Sequence, residues 1–487
     1  MKILCFIILI FVSISGFGNG QMEVAPDNNE KPNILILFSD DLGYGDLGFT
    51  GSSQVKTPNL DKLASEGVLF TQAYVTCPFC APSRAALLTG RYQQRFGFEF
   101  NPDEKEHVKT EFLGIDLAEK TLGDRMQALG YYTGIIGKWH LGEHENFYPT
   151  KRGFNYFFGM RGGGHSYFPT IESKNIPYYW YPEFALERNG ENLTEIEEPY
   201  LTDWFTQDAI NFIDKNSKNA TPWFLYLSYN CPHGPLEAKP EDIAKYQHIE
   251  NEGRRTYCGM IDNLDQNIGE VIKKLKETGQ YENTVIIFMN DNGGSVETIN
   301  ALNAPYWGTK GTFYEGGIRV PMFIHYPKVL KNATYTNAVS AMDIMPTCIN
   351  LAGSTFEPET RQFHGKDRTH EYDGINLLPY ISGEKNNEKP HQKLFWRVMY
   401  RGSAMLDGDW KYIQTPHDLP QLYNIATDPS EQNDLAAKYP EKLKKMMDQH
   451  FDWCTSFEKS PMWMDQPYWL KMNKEIHRKE FQLVQPE

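Results

Sequence analysis

The sequence predicts an α/β protein with a mostly parallel sheet covered by helices on both faces, followed by a smaller antiparallel α+β subdomain. Three observations lead there. Short apolar runs alternate with helix-spaced segments from residue 33 to residue 325. The first of these runs, NILILF, is apolar throughout rather than alternating, as a strand buried on both faces is. Beyond a polar, charged stretch at 383–390, short strand-like runs follow one another with only turns between them.

The elements follow in order. Residues 33–38 read as a buried parallel strand. Residues 57–67 read as a helix, with Thr57 as cap, Pro58 in the first turn and apolar positions at helical spacing. A strand is expected at 68–74, and a helix opens at 83–88. Helix then strand recurs at 121–129 and 132–136, at 204–214 and 223–228, and at 264–277 and 284–289. A further strand is expected at 320–325. After the linker come strands at 394–400, 403–406 and 410–413 and a helix at 439–451. The division expected is 1–20, 21–31, 32–383 and 391–487.

At 487 residues the chain can bury a large core. Its net charge of -15 argues against nucleic acid as a partner, which needs a basic face. A polyanionic ligand would need its own local positive pocket. Residues 1–20 read as an export signal: Lys2, an apolar stretch broken only by Ser13, then Gly16, Gly18 and Gly20. No run is long and apolar enough to suggest a membrane span. Six cysteines follow the signal, too few for a disulfide scaffold, and their pairing is not assigned.

Three clusters carry chemistry. Asp40-Asp41 directly follows the first strand, where α/β folds gather ligands, and two adjacent carboxylates are stabilised by a cation. Asp291-Asn292 repeats the arrangement after the strand at 284–289. Carboxylate and amide oxygens are hard ligands suited to Ca2+ or Mg2+. The third cluster is Cys80-Ala-Pro-Ser-Arg84 with Leu87, Thr89, Gly90 and Arg91. Cys80 lies just before a helix start, where a developing anion is favoured, and Arg84 lies about one turn on. Cys77-Pro-Phe-Cys80 also has the C-x-x-C spacing of a redox motif, but nothing around it supplies a thioredoxin-like unit.

Residues 80–91 match C-x-P-S-R-x-x-L-x-T-G-R, and here the chain resembles the formylglycine-dependent sulfatases of the alkaline phosphatase superfamily. Gly137-Lys-Trp-His-Leu-Gly142, Pro232-His233, Asp291-Asn-Gly-Gly294, Lys310-Gly311 and Glu315-Gly-Gly-Ile-Arg319 extend it, with Leu422-Tyr-Asn424 near the end. The resemblance spans about residues 31 to 435. It implies an alkaline-phosphatase-like fold with a catalytic domain at 32–383. It also implies that a maturation enzyme oxidises Cys80 to formylglycine (3-oxoalanine). One hydroxyl of the hydrated aldehyde would attack the sulfur of a sulfate ester, and the second would expel sulfate. The metal, Ca2+ ahead of Mg2+, would be held by Asp40, Asp41, Asp291, Asn292 and modified Cys80. Arg84 would hold that cluster. Lys138 and Lys310 would neutralise sulfate oxygens. His140 would take the second hydroxyl's proton and His233 would protonate the leaving alcohol.

For the substrate, His165 in Gly162-Gly-Gly-His165 is one expected contact, and the aromatics from Tyr167 to Trp204, Tyr178 to Tyr181 among them, are candidate stacking platforms. The resemblance points to a secreted or periplasmic bacterial enzyme acting on a sulfated carbohydrate of ulvan or carrageenan type. Glycosaminoglycan or aryl sulfates are the alternatives. A phosphatase or phosphodiesterase of the superfamily would carry Ser or Thr as nucleophile. An inactive binding homologue would have lost one of the reactive residues, and none is lost.

Overall fold

The structure is a computed structural model. It describes residues 31–102, 113–169, 186–356, 359–363, 366–370, 372–399, 401–416 and 418–457. The expected export signal, the leader up to residue 30 and Tyr178 to Tyr181 lie outside the described residues.

The strands are β1 (Asn33–Ser39), β2 (Val68–Phe70), β3 (Ala73–Tyr74), β4 (Tyr132–Lys138), β5 (Tyr156–Met160), β6 (Glu187–Arg188), β7 (Glu191–Asn192), β8 (Trp223–Ser228) and β9 (Thr284–Asn290). They continue with β10 (Met322–His325), β11 (Ala333–Tyr335), β12 (Val339–Ser340), β13 (Glu359–Phe363), β14 (Lys366–His370), β15 (Lys393–Val398), β16 (Gly402–Asp407), β17 (Trp410–Gln414) and β18 (Gln421–Asn424). The helices are α1 (Pro58–Glu66), α2 (Cys80–Thr89), α3 (Leu122–Ala128), α4 (Leu201–Asn216), α5 (Pro240–Ala244), α6 (Glu252–Glu277), α7 (Val296–Ile299), α8 (Glu315–Ile318), α9 (Ile344–Leu351), α10 (Leu378–Ile381) and α11 (Pro440–Thr455).

The main sheet runs β11-β2-β10-β9-β1-β8-β4-β5-β6-β7. Its centre, β9-β1-β8-β4-β5, is parallel, and β10 joins antiparallel. β1 shows why. Ile34, Ile36 and Phe38 belong to one buried cluster with residues of α2, α3 and α9. Leu35 and Leu37 belong to another with α1, α4 and α6. Both faces are therefore helix-covered, which is what a continuous apolar strand requires. The register pairs Ser39 with Asn290, Phe38 with Ser228, and Gly137 with Ser228, so neighbouring parallel strands end level with one another. The loops that leave them emerge on one edge.

The C-terminal sheet β15-β16-β17-β18 is antiparallel. One face covers Met446 of α11 with Met405, Tyr412 and Leu422. From the other face, Trp396, Ala404 and Ile413 join the cluster that contains Ile34. Lys411 adds a buried ionic tie. Its ammonium lies 2.7 Å from Glu315 Oε1 and 2.8 Å from Glu431 Oε1. Arg319 reaches Glu315 Oε2 at 3.0 Å, the Tyr74 hydroxyl donates to the same oxygen at 2.8 Å, and Glu315 N donates to Glu431 Oε2 at 2.6 Å.

Several expectations shift. The strand expected at 68–74 is two: β2 pairs with β10 and β11, whereas β3 turns away to pair with β12. Helix α2 begins at Cys80 itself, with Phe79 as its cap. Helix α6 starts at Glu252 rather than at 264. Gly259 does not stop it; a Cβ there would lie 3.2 Å from the Asp242 backbone of α5, so this glycine marks a close helix contact. The hairpin β13–β14 was not expected. Among the described residues no helix is long and apolar enough to cross a membrane.

Candidate active site

Four adjacent strands, β9, β1, β8 and β4, deliver the site from their level carboxyl ends, where α/β sheets bind ligands. Asp40 and Asp41 follow β1. Lys138 ends β4 and His140 comes two residues later. His233 lies in the loop after β8, and Asp291 and Asn292 follow β9. Cys80 opens α2, and Lys310 comes from the segment ahead of α8. Gly137, at φ +107°, allows the close approach beside Lys138: a Cβ there would overlap the Ser228 carbonyl at 2.0 Å.

Of the residues expected in the site, all but His165 come together in one cluster, buried except for the partly exposed Lys310. Lys138 Nζ donates to Asp40 Oδ2 at 2.6 Å, and Lys310 Nζ to Asp41 Oδ2 at 2.7 Å. Arg84 donates from Nε and Nη2 to Asp291 Oδ2 at 3.0 and 2.8 Å, and from Nη1 to Ser228 Oγ at 2.6 Å. Asp291 Oδ1 accepts from the Asp41 backbone at 3.2 Å. Asn292 Nδ2 donates to Asp41 Oδ1 at 2.7 Å, and Cys80 Sγ lies 3.9 Å from that oxygen. His233 Nε2 is 3.6 Å from Asp41 Oδ2, while its Nδ1 lies 2.8 Å from the Gly234 carbonyl. Asp41 and His140 hold left-handed backbone at φ +60° and +57°. Such strain concentrates at functional sites.

His165 makes no hydrogen bond or ion pair with this cluster among the described residues. Its Nδ1 is engaged by the Ser166 carbonyl at 2.8 Å. The segment nonetheless reaches the site, because the Tyr167 hydroxyl donates to the His233 carbonyl at 2.9 Å. All six cysteines among the described residues are free thiols, Cys77 and Cys80 included.

The charges are strongly coupled. Burial alone would raise the Asp40 carboxyl, but Lys138, His233, Arg84 and Lys310 hold it well below the usual range. Asp291 is pushed up to about 7, by burial first and then by the charge of Asp40. Burial drives the Cys80 thiol far up, so as a plain cysteine it is a poor nucleophile. His140 is held well below the usual imidazole range by burial and by Lys138 and Arg84. His233 is lowered by burial, against the pull of Asp40 and Asp41. Asp40 Oδ1, Asn292 Oδ1 and His140 Nδ1 are buried and have no hydrogen-bond partner. One ligand atom each from Asp40, Asp41, Cys80 and His233 lies within 4.8 Å of the others. Unpartnered oxygens on crowded carboxylates are what a hard divalent cation satisfies.

The sequence model of the Sulfatase family matches residues 32–354. The chain belongs to the sulfatase family. It is an enzyme, a sulfuric ester hydrolase. Among curated relatives, the sulfatase is 33% identical over 422 residues to the uncharacterized sulfatase YdeN of Escherichia coli, covering 76% of this chain and 69% of that one. It is 32% identical over 392 residues to N-acetylgalactosamine-6-sulfatase of Mus musculus, covering 77% and 70%. Among solved structures, Ps i-CgsB superposes with a TM-score of 0.81 at 37% identity, covering 92% of this chain and 97% of that one. The same protein in complex with k-i-k-neocarrahexaose gives 0.80 at 36% identity, with the same coverage.

Sequence reasoning missed three residues of this sulfatase site. Ser228 fixes Arg84. Asn290 accepts from Ser39 Oγ at 3.1 Å and donates to the Leu42 carbonyl at 2.8 Å, which binds the acidic turn after β1 to the end of β9. Gly163 presses on the catalytic candidate His140: a Cβ there would lie 2.9 Å from Nε2. A polar residue at the end of an apolar strand was the available signal for the first two.

Proposed function

We propose that this sulfatase removes sulfate from oligosaccharides of a sulfated polysaccharide, carrageenan or ulvan type first, through Cys80 in its formylglycine form and one Ca2+. The observation that carries the reading is the position of Cys80, at the start of α2 among the buried carboxylates Asp40, Asp41 and Asp291 and the cations Arg84, Lys138 and Lys310. The likeness to Ps i-CgsB, seen in complex with k-i-k-neocarrahexaose, supports the choice of polysaccharide. We assign 32–383 to catalysis and 391–487 to the C-terminal subdomain, and we place the protein in the periplasm or outside the cell on the strength of the signal at 1–20.

Asp40, Asp41, Asp291 and Asn292 would hold the cation, with residue 80 beside it. When bound, it supplies positive charge that favours an ionised hydroxyl on the hydrated aldehyde and polarises a sulfate oxygen. With the carboxylates so engaged, Lys138 and Lys310 turn their charge to the sulfate oxygens, where negative charge grows as the S–O bond to the sugar lengthens. Arg84 keeps Asp291 and the strand ends in place through its three short bonds. His140, held neutral by burial, is fitted to accept a proton from residue 80. His233 hands a proton to the departing sugar oxygen. The incoming sulfate adds negative charge beside it and favours its protonated form against the burial that lowers it.

The test is co-expression with a formylglycine-generating system, peptide mass spectrometry across Cys80, and sulfate release from sulfated galactan, ulvan, glycosaminoglycan and aryl substrates. Aldehyde at residue 80 with release from an algal oligosaccharide, lost in Cys80→Ala, is the expected outcome. Full conversion with turnover of phosphate esters only would overturn the substrate class.

A further inference from the structure

Two arginines sit four residues apart where the C-terminal sheet meets the site. Arg397, in β15, is spent within the protein: Nε donates to Glu99 Oε2 at 3.1 Å and Nη2 pairs with Glu99 Oε1. Arg401, in the turn before β16, is exposed and has no carboxylate partner among the described residues. In a chain with 63 acidic and 48 basic side chains, an exposed cation with no carboxylate beside it among the described residues runs against the prevailing charge.

Arg401 is also held in place. Its guanidinium lies 5.2 Å from the ring centre of Phe79 and 4.7 Å from that of Phe100, two rings packed edge-on at 4.9 Å. Phe79 is the residue before Cys80. Its ring edge would be 3.3 Å from a Cβ on Gly311, next to Lys310, and Gly311 N donates to the Pro78 carbonyl at 3.0 Å. The following residue, Gly402, is pressed equally close: a Cβ there would lie 3.0 Å from the Phe313 ring. The ring that carries Arg401 thus belongs to the neighbour of Cys80 in the chain and touches the neighbour of Lys310. A guanidinium seated on a ring keeps its N–H donors at its edge, in the fork that fits two oxygens of one oxyanion.

We propose that Arg401 is a specificity-determining residue that binds a second oxyanion of the substrate, on a sugar next to the one being desulfated. The proposal rests on the sulfatase reading of the Cys80 site given above. The oxyanion is a sulfate or a uronate carboxylate, which present the same two-oxygen edge. A polyanionic chain would then be read at two points by an acidic protein: one buried, where sulfate is removed, and one at the rim.

The test uses the full chain with residue 80 converted, as wild type, Arg401→Gln and Arg401→Lys. Kinetics are measured on two matched oligosaccharide pairs. In one pair the members differ by a sulfate on the neighbouring sugar, and in the other by a uronate carboxylate there. Arg401→Gln should raise KM at least about tenfold for the member carrying the extra group, as loss of a charged hydrogen bond does, and clearly less for its partner. Arg401→Lys should fall between, because it keeps the charge and loses the fork. Added salt should narrow the gap between members. The pair that shows the gap names the oxyanion. A misfolded variant would lose both members equally, so the ratio within a pair reads binding rather than folding. Equal rises in KM within both pairs, or a fall in kcat with KM unmoved, would overturn the proposal. Converted wild type that releases sulfate from none of the four would instead overturn the underlying function, and this proposal with it.

Discussion

The protein buries two charged clusters, and they differ in one respect that matters. The first surrounds Cys80; the second ties Glu315, Arg319, Lys411 and Glu431 together beneath the C-terminal sheet. Each has one carboxylate pushed up to about 7 by burial and a neighbouring acid, Asp291 in the first and Glu431 in the second. Each contains a left-handed residue, Asp41 or Glu431. Neither titration nor strain therefore tells a working cluster from a structural one. Valence does. In the second cluster three of the four carboxylate oxygens accept a hydrogen bond, and the fourth, Glu431 Oε1, which accepts none, lies 2.8 Å from the Lys411 ammonium that neutralises it. In the first, Asp40 Oδ1, Asn292 Oδ1 and His140 Nδ1 have no hydrogen-bond partner. A cluster that satisfies itself holds parts together, and one that leaves atoms unsatisfied is built for something to arrive.

Breaking the open cluster should cost activity first. Asp41→Asn is expected to lower kcat/KM about 1000-fold, the scale of losing metal-assisted charge stabilisation. Calcium should raise the Tm of the wild type by mass action and leave the variant's Tm where it is. Equal calcium shifts in both proteins would remove Asp41 from the ligand set. Breaking the closed cluster should cost stability instead. Lys411→Met leaves the buried Glu431 with no cation and Glu315 with Arg319 alone, so denaturant unfolding should show a loss of about 3–5 kcal/mol. Replacing Glu315 and Glu431 by apolar residues in the same chain should recover part of it. If Lys411→Met unfolds normally but loses turnover per folded molecule, the contrast between the clusters fails.

How much of this was legible in the sequence follows the same division. The open cluster was nearly all readable, because each of its residues sits beside a strand end or inside a contiguous motif such as 80–91. Ser228 and Asn290 escaped, because an end-of-strand position announces a site but not which partner it meets. The closed cluster was not readable as a cluster, although Glu315 and Arg319 stand in one contiguous motif. Only Glu315 and Arg319 are close in sequence, and Lys411 and Glu431 meet them through pairings that no local pattern encodes. The fold divides likewise. β1 and β9 declare their burial by composition, whereas the break between β2 and β3 is decided by distant partners, β10 and β12.

Two smaller effects sharpen the comparison. Gly163→Ala puts a methyl 2.9 Å from His140 Nε2, so kcat should drop about tenfold with KM less affected. An unchanged kcat would show that His140 tolerates displacement. His391 is a further closed pair: burial would lower it, but Asp343, 2.8 Å away, raises it above the usual imidazole value. A raised histidine contributes stability that is complete below its unfolded pKa of about 6.5 and fades as pH rises through the folded value. His391→Gln should therefore melt below wild type in acid, with the gap closing as pH climbs. A gap that widens with pH would reverse the assigned charge.

The bond from Lys310 to Asp41 spans 269 positions of chain. A ribosome adding 5–20 residues per second needs roughly 15–50 seconds to make that length. Once residue 91 has been made, 219 of those positions (310 minus 91) remain, so residues 80–91 exist while the last cation that closes over Cys80 has yet to be synthesised. The chain thus gives its most reactive position a timed exposure during its own manufacture, ended by the arrival of Lys310.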